Sequence, residues 1–152
     1  IPSTLSVLMD FEGGGQAQSL YSTDSPLVRQ GIVEITGTEG TLVIPDPNTF
    51  GGPLTITRPL ARYFVPPEPV VQEVVDVAPE GVLAGRGLGL LDMARAIAED
   101  RPHIATGAFG YHILDTLLSI EEAAARRTFV EVASTVDQIG ALPADFDPFA
   151  AT

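Results

Sequence analysis

The chain has 152 residues, 45% hydrophobic and 18% charged, a balance that suits a globular chain with an appreciable core rather than a disordered one. Twenty acidic residues against eight basic ones give a net charge of −12, which repels phosphate backbones and anionic lipid and argues against nucleic acid and membrane surfaces as partners. All the basic residues are arginine and cysteine is absent, which removes Schiff-base, P-loop-lysine, thiolate, disulfide and cysteine–zinc chemistry.

The first half alternates with the period of a strand. In residues 4–11, Leu5, Val7, Met9 and Phe11 share one face. Glu12-Gly13-Gly14-Gly15 supplies the positive-φ turn of a hairpin, and residues 16–23 return antiparallel. A third strand over 30–36 turns at Gly37-Thr38-Glu39-Gly40 into a fourth over 41–44. The loop Asp46-Pro47-Asn48-Thr49-Phe50-Gly51-Gly52 precedes a fifth strand at 54–58, and Pro66-Pro67-Glu68-Pro69 interrupts the chain before a sixth at 70–77.

Beyond residue 77 the period changes. Residues 87–100 read as a helix with Leu90, Ala94, Ile97 and Ala98 on one stripe, stopped by Pro102. A longer helix over 108–127 carries Phe109, Ile113, Leu117, Ile120 and Ala124, with Leu114 and Leu118 widening the stripe and Arg126 and Arg127 suiting its last turn. A last strand is expected at 128–132. Strands followed by helices predict an α+β fold: a mostly antiparallel open sheet with helices packed on one face. The expected organisation is one domain over 1–132 and a tail over 133–152. With no apolar run long enough to span a bilayer and no leader at Ile1-Pro2-Ser3, the expected product is a cytoplasmic piece of a longer protein.

The residues offer few sites of chemistry. Gly85-Arg86-Gly87-Leu88-Gly89 opens a helix but lacks the spacing of a dinucleotide loop, leaving Arg86 at a helix N-terminus with two readings, a surface salt bridge or a contact to an anionic or hydroxyl-rich ligand. His103 and His112 lack metal-ligand spacing; the plain expectation is an exposed His103 and a helix-face His112 with its polar edge satisfied. None of Ser19, Ser22, Ser119 and Ser134 sits in a nucleophile elbow, and Asp10 and Glu12 fit a solvated strand edge better than an acid–base pair. No catalytic, cofactor-binding or metal-ligating residue is expected within this segment.

Three stretches together resemble the C-terminal part of the glucose–fructose oxidoreductase / inositol dehydrogenase / rhizopine-catabolism family (Gfo/Idh/MocA). The first runs from Ile35-Thr36-Gly37-Thr38-Glu39-Gly40-Thr41-Leu42 into Pro45-Asp46-Pro47-Asn48-Thr49-Phe50-Gly51-Gly52-Pro53. The second runs from Arg86-Gly87-Leu88-Gly89 through Asp92-Met93-Ala94 to Arg101-Pro102-His103. The third is His112-Ile113-Leu114-Asp115 with Ser119 downstream. The resemblance implies an NAD- or NADP-dependent oxidoreductase acting on a sugar, cyclitol or similar polyol.

It also implies that the cofactor is bound by an N-terminal Rossmann domain outside this segment, which would make the segment inactive alone. The family's Glu-Lys-Pro lysine and its histidine–aspartate pair have no counterpart here. Implied partners are that Rossmann domain, a second subunit paired through the open sheet face, and the polyol. Arg86, with Asn48 and Thr49 behind it, is the expected substrate rim. The rival readings are a stand-alone binding or dimerisation module and a small hydrolase.

Overall fold

A computed structural model describes residues 3–25, 33–46, 54–58, 72–75, 85–143 and 145–150, the stretch 72–75 by its backbone alone. Among the described residues six strands precede two helices. They are β1 (Thr4–Asp10), β2 (Gln16–Ser22), β3 (Val33–Gly37), β4 (Gly40–Ile44), β5 (Leu54–Thr57), β6 (Gln72–Val75), α1 (Leu88–Ala98) and α2 (Gly107–Arg126). Antiparallel sheets and two helices make the fold α+β, as the change of period halfway along the sequence predicts.

The strands fall into two sheets, β1-β2 and β3-β4-β5-β6, where the sequence reading sets all six in one. The β1–β2 and β3–β4 ladders are each set by a short turn, while residues 23–32, which include Pro26, separate the two sheets. Residues 128–132, expected as a closing strand, form none; this segment runs on from α2 without a ladder partner among the described residues. The chain divides into two compact units, one of residues 1–28 and 107–137, the other of residues 29–106 and 138–152.

In the first unit, β1 and β2 pair from Thr4↔Ser22 to Asp10↔Gln16. Gly14 donates to the Phe11 carbonyl at 2.8 Å and Phe11 donates to Gly15 at 2.9 Å, a turn closed by Gly14 at φ +84°. That is a three-residue loop whose last member needs the left-handed region, which glycine enters without a steric penalty. Val7 is buried and Leu5 and Met9 half-buried on the predicted face, while Leu8 and Leu20 stand exposed on the other. Leu8, Met9, Asp10, Gln16, Ala17 and Gln18 line a shallow recess together with Phe129 from the segment after α2.

In the second unit, β3 to β6 form an antiparallel meander with Ile35↔Leu42 and Leu42↔Ile56 in register. Side chains alternate across a pleated sheet, so Val33, Ile35, Leu42, Ile44, Leu54 and Ile56 occupy one face, and Glu34, Thr36, Thr41, Val43, Thr55 and Thr57 the other. On the polar face the Thr36 and Thr41 hydroxyls bond at 3.0 Å. At Gly40, φ is +153° and a Cβ would lie 2.5 Å from the Thr57 carbonyl oxygen, so only glycine lets β4 and β5 approach this closely.

Both helices end the same way. Arg101 N–H donates to the Ala96 carbonyl at 2.9 Å beyond Asp100 (φ +53°), and Thr128 N–H donates to the Ala123 carbonyl at 3.3 Å beyond Arg127 (φ +54°). Each is a Schellman closure in which a residue with a side chain occupies the place usually held by glycine.

Candidate functional site

α1 begins at Gly87, whose left-handed backbone (φ +92°) leaves its carbonyl to accept from Leu91 N–H at 3.0 Å. The inward face of the helix is not the expected stripe. Asp92 is 2% exposed and Ala96 1%, while Leu90 and Ile97 are 72% and 75% exposed and Ala94 and Ala98 are also outside. Asp92 fixes this rotation: its Oδ1 accepts from Arg101 Nη1 at 2.9 Å and its Oδ2 from Ile104 N–H at 2.8 Å. Leu90 and Ala94 each lie about 200° around the helix from Asp92, so anchoring Asp92 inward turns them outward.

Both carboxylate oxygens of Asp92 are thus satisfied, as a buried charge requires. The Ile104 amide, then the Arg101 guanidinium, hold its carboxyl below the ordinary carboxylate range against the opposing effect of burial, with His103 adding a smaller contribution. Arg101 also donates from Nε to Glu99 at 2.6 Å. His103, expected to be exposed, is half-buried, and its Nδ1 is a buried ring nitrogen without a hydrogen-bond partner among the described residues. The reason lies next to it: Ile104 must approach Asp92, and this draws the preceding residue inward.

On α2 the inward residues include Phe109, His112, Asp115, Thr116, buried Ser119, Ile120 and Ala123, while Ile113, Leu114, Leu117 and Leu118 are exposed. His112 Nδ1 lies 2.9 Å from Ser134 Oγ, and Asp115 Oδ2 accepts from Ser134 N–H at 2.8 Å. The Ser134 hydroxyl, then its amide, lower the Asp115 carboxyl. A serine, a histidine and an aspartate therefore meet, but in the wrong order for nucleophilic catalysis. The acid engages the serine through its main-chain amide instead of orienting the histidine, so the order of a catalytic triad, acid to histidine to hydroxyl, is not formed by these bonds. The arrangement ties the segment after α2 to the helix.

Arg86 is exposed in the turn before α1. Asn48 and Thr49, the other expected rim residues, lie outside the described residues. Asp10 accepts from Gln16 Nε2 at 2.9 Å at an exposed hairpin end, a solvated edge. Among the described residues no three His, Asp or Glu side chains gather as a metal site, and no helix is long and apolar enough to cross a membrane.

Every described strand pair is antiparallel, whereas the dinucleotide crevice opens at the carboxyl ends of parallel strands. No family model, curated protein or solved structure matches this chain.

Proposed function

We propose that this chain is the substrate-side and association part of an NAD(P)-dependent oxidoreductase acting on a sugar, cyclitol or similar polyol, inactive without a nucleotide-binding domain. One observation carries the reading. Among the described residues the buried apolar side chains are Val7 and Ala96 alone, while Leu90, Ile97, Leu114, Leu117, Leu118, Val33 and Ile35 are exposed. A surface of that kind supports a reading in which another domain or subunit covers this polypeptide. The family resemblance in the Gly37–Gly40 hairpin, the Arg86–His103 stretch and the His112–Ser119 stretch supplies the class of reaction. Arg86, exposed ahead of α1, is the residue assigned to the polyol rim, with Asn48 and Thr49.

The test has two arms. Titrated with NADH and NADPH, the polypeptide binds neither tightly and oxidises no polyol; its coding sequence places a glycine-rich dinucleotide loop upstream in the same chain. Sedimentation at micromolar concentration shows association. Tight nicotinamide binding by this polypeptide alone, or a strictly monomeric species, overturns the reading. Association without any upstream nucleotide domain favours a stand-alone dimerisation module instead, a role the same exposed leucines suit.

A further inference from the structure

Among the described residues, one side chain of α1 holds residues 145–150 through hydrogen bonds and a ring contact together. Arg95 Nη1 donates to the Asp147 carbonyl at 2.8 Å, Nη2 donates to the Ala150 carbonyl at 2.9 Å, and the guanidinium carbon stands 4.9 Å from the centre of the Phe146 ring. The segment is itself a compact turn. Phe146 N–H donates to Pro143, and the Asp147 carboxylate accepts from Phe149 N–H at 2.8 Å. Phe146 and Pro148 are half-buried, whereas Asp145, Asp147, Phe149 and Ala150 are exposed. Apolar anchoring is therefore thin, and the polar anchoring converges on one planar fork whose two ends grip carbonyls three residues apart.

A guanidinium suits this task because its donors are rigidly coplanar and its face stacks on an aromatic ring. Lysine would supply a single point of attachment. The bonds inside so short a turn, Phe149 N–H to the Asp147 carboxylate and Ala150 N–H to the Asp147 carbonyl, loosen once Arg95 no longer holds the Asp147 and Ala150 carbonyls, so release exposes these two amides and costs what Arg95 and the half-buried side chains contribute. We propose that residues 145–150 form a strap that opens from α1 as one unit, separately from unfolding of the rest of the chain, with Arg95 as its latch. Opening uncovers the α1 surface around Arg95.

Amide hydrogen exchange on the full chain tests this. In Arg95→Met, which keeps length and apolar character, exchange at Phe149 and Ala150 rises about tenfold or more, the factor expected from losing a charge-assisted pair of hydrogen bonds. Exchange within α1 and the far-ultraviolet circular dichroism stay as in the parent. Arg95→Lys gives an intermediate rise, and Phe146→Leu, which leaves α1 untouched, gives a smaller rise at the same amides. Unchanged exchange at Phe149 and Ala150 in both Arg95→Met and Phe146→Leu overturns the proposal. So does a rise that appears equally in α1, because the segment then opens only with the whole unit.

Discussion

Arg101 and Asp92 are nine residues apart, and the guanidinium of the first reaches back past the end of α1 to the buried carboxylate of the second at 2.9 Å. The same carboxylate holds the Ile104 amide, so one side chain fastens both the helix terminus and the loop that leaves it. Replacing Asp92 removes a charge that two donors face. Asp92→Asn is expected to cost about 1–2 kcal/mol and Asp92→Ala about 3 kcal/mol, read as a lower urea midpoint with an unchanged slope. An unchanged midpoint in Asp92→Ala would falsify the view that this pair fixes the rotation of α1.

Acid acts on the same groups. The carboxyls of Asp92 and Asp115 are lowered in the folded chain, by the Ile104 amide with Arg101 and by Ser134 respectively. A carboxyl held lower in the folded state contributes stability above its unfolded value, about pH 3.9, and loses it as pH falls through the folded value. Stability is therefore expected to drop as pH falls below about 4, and to drop less steeply in Asp92→Asn/Asp115→Asn. Thermal melts between pH 6 and pH 2 check the difference in slope.

The Gly40 contact predicts a large local effect. A Cβ there would stand 2.5 Å from the Thr57 carbonyl oxygen, a main-chain atom that cannot swing away. Gly40→Ala is expected to destabilise the chain by about 2–3 kcal/mol. Gly37→Ala, where a Cβ meets nothing within 4 Å, serves as its control and should cost under about 1 kcal/mol.

The two helix ends predict gains. Asp100 and Arg127 hold left-handed backbones that a glycine adopts freely. Asp100→Gly and Arg127→Gly are each expected to add about 0.5–1 kcal/mol, with the pair close to additive. A loss of stability in both variants would show that their side chains contribute more than the backbone strain removes.

The exposed apolar stripes predict a change in association without a change in stability. Leu114→Glu and Leu118→Glu on α2, or Leu90→Glu and Ile97→Glu on α1, should shift melting by no more than about 0.5 kcal/mol in the isolated chain. Sedimentation velocity should show less self-association in at least one of the two pairs. Full association in both would place the contact elsewhere, for instance on the Val33 and Ile35 face.

Local features of this chain were legible because local physics sets them. Glu12-Gly13-Gly14-Gly15 and Gly37-Thr38-Glu39-Gly40 announce their turns, and helices expected at 87–100 and 108–127 are found at Leu88–Ala98 and Gly107–Arg126. The face each helix turns inward was not legible. Leu90 and Ile97 read as a core stripe by period, but Asp92 finds its donors at Arg101 and Ile104, beyond the helix, and no spacing rule marks those partners. The same holds for Ser134, brought to His112 and Asp115 from 22 and 19 residues away. A signal was present for Asp92 in one sense: an acidic residue amid Leu88, Leu91 and Ala96 is out of place on an apolar helix face and asks for a partner.

The meander of β3, β4 and β5 is aliphatic throughout on one face and mostly hydroxylic on the other, where Val43 stands among Glu34 and four threonines. An apolar neighbour gains more against the first face than against the second, where hydroxyls would be pressed into oil. The sheet thus carries an orientation code, written by the pleat and kept in phase by the tight turn before Gly40.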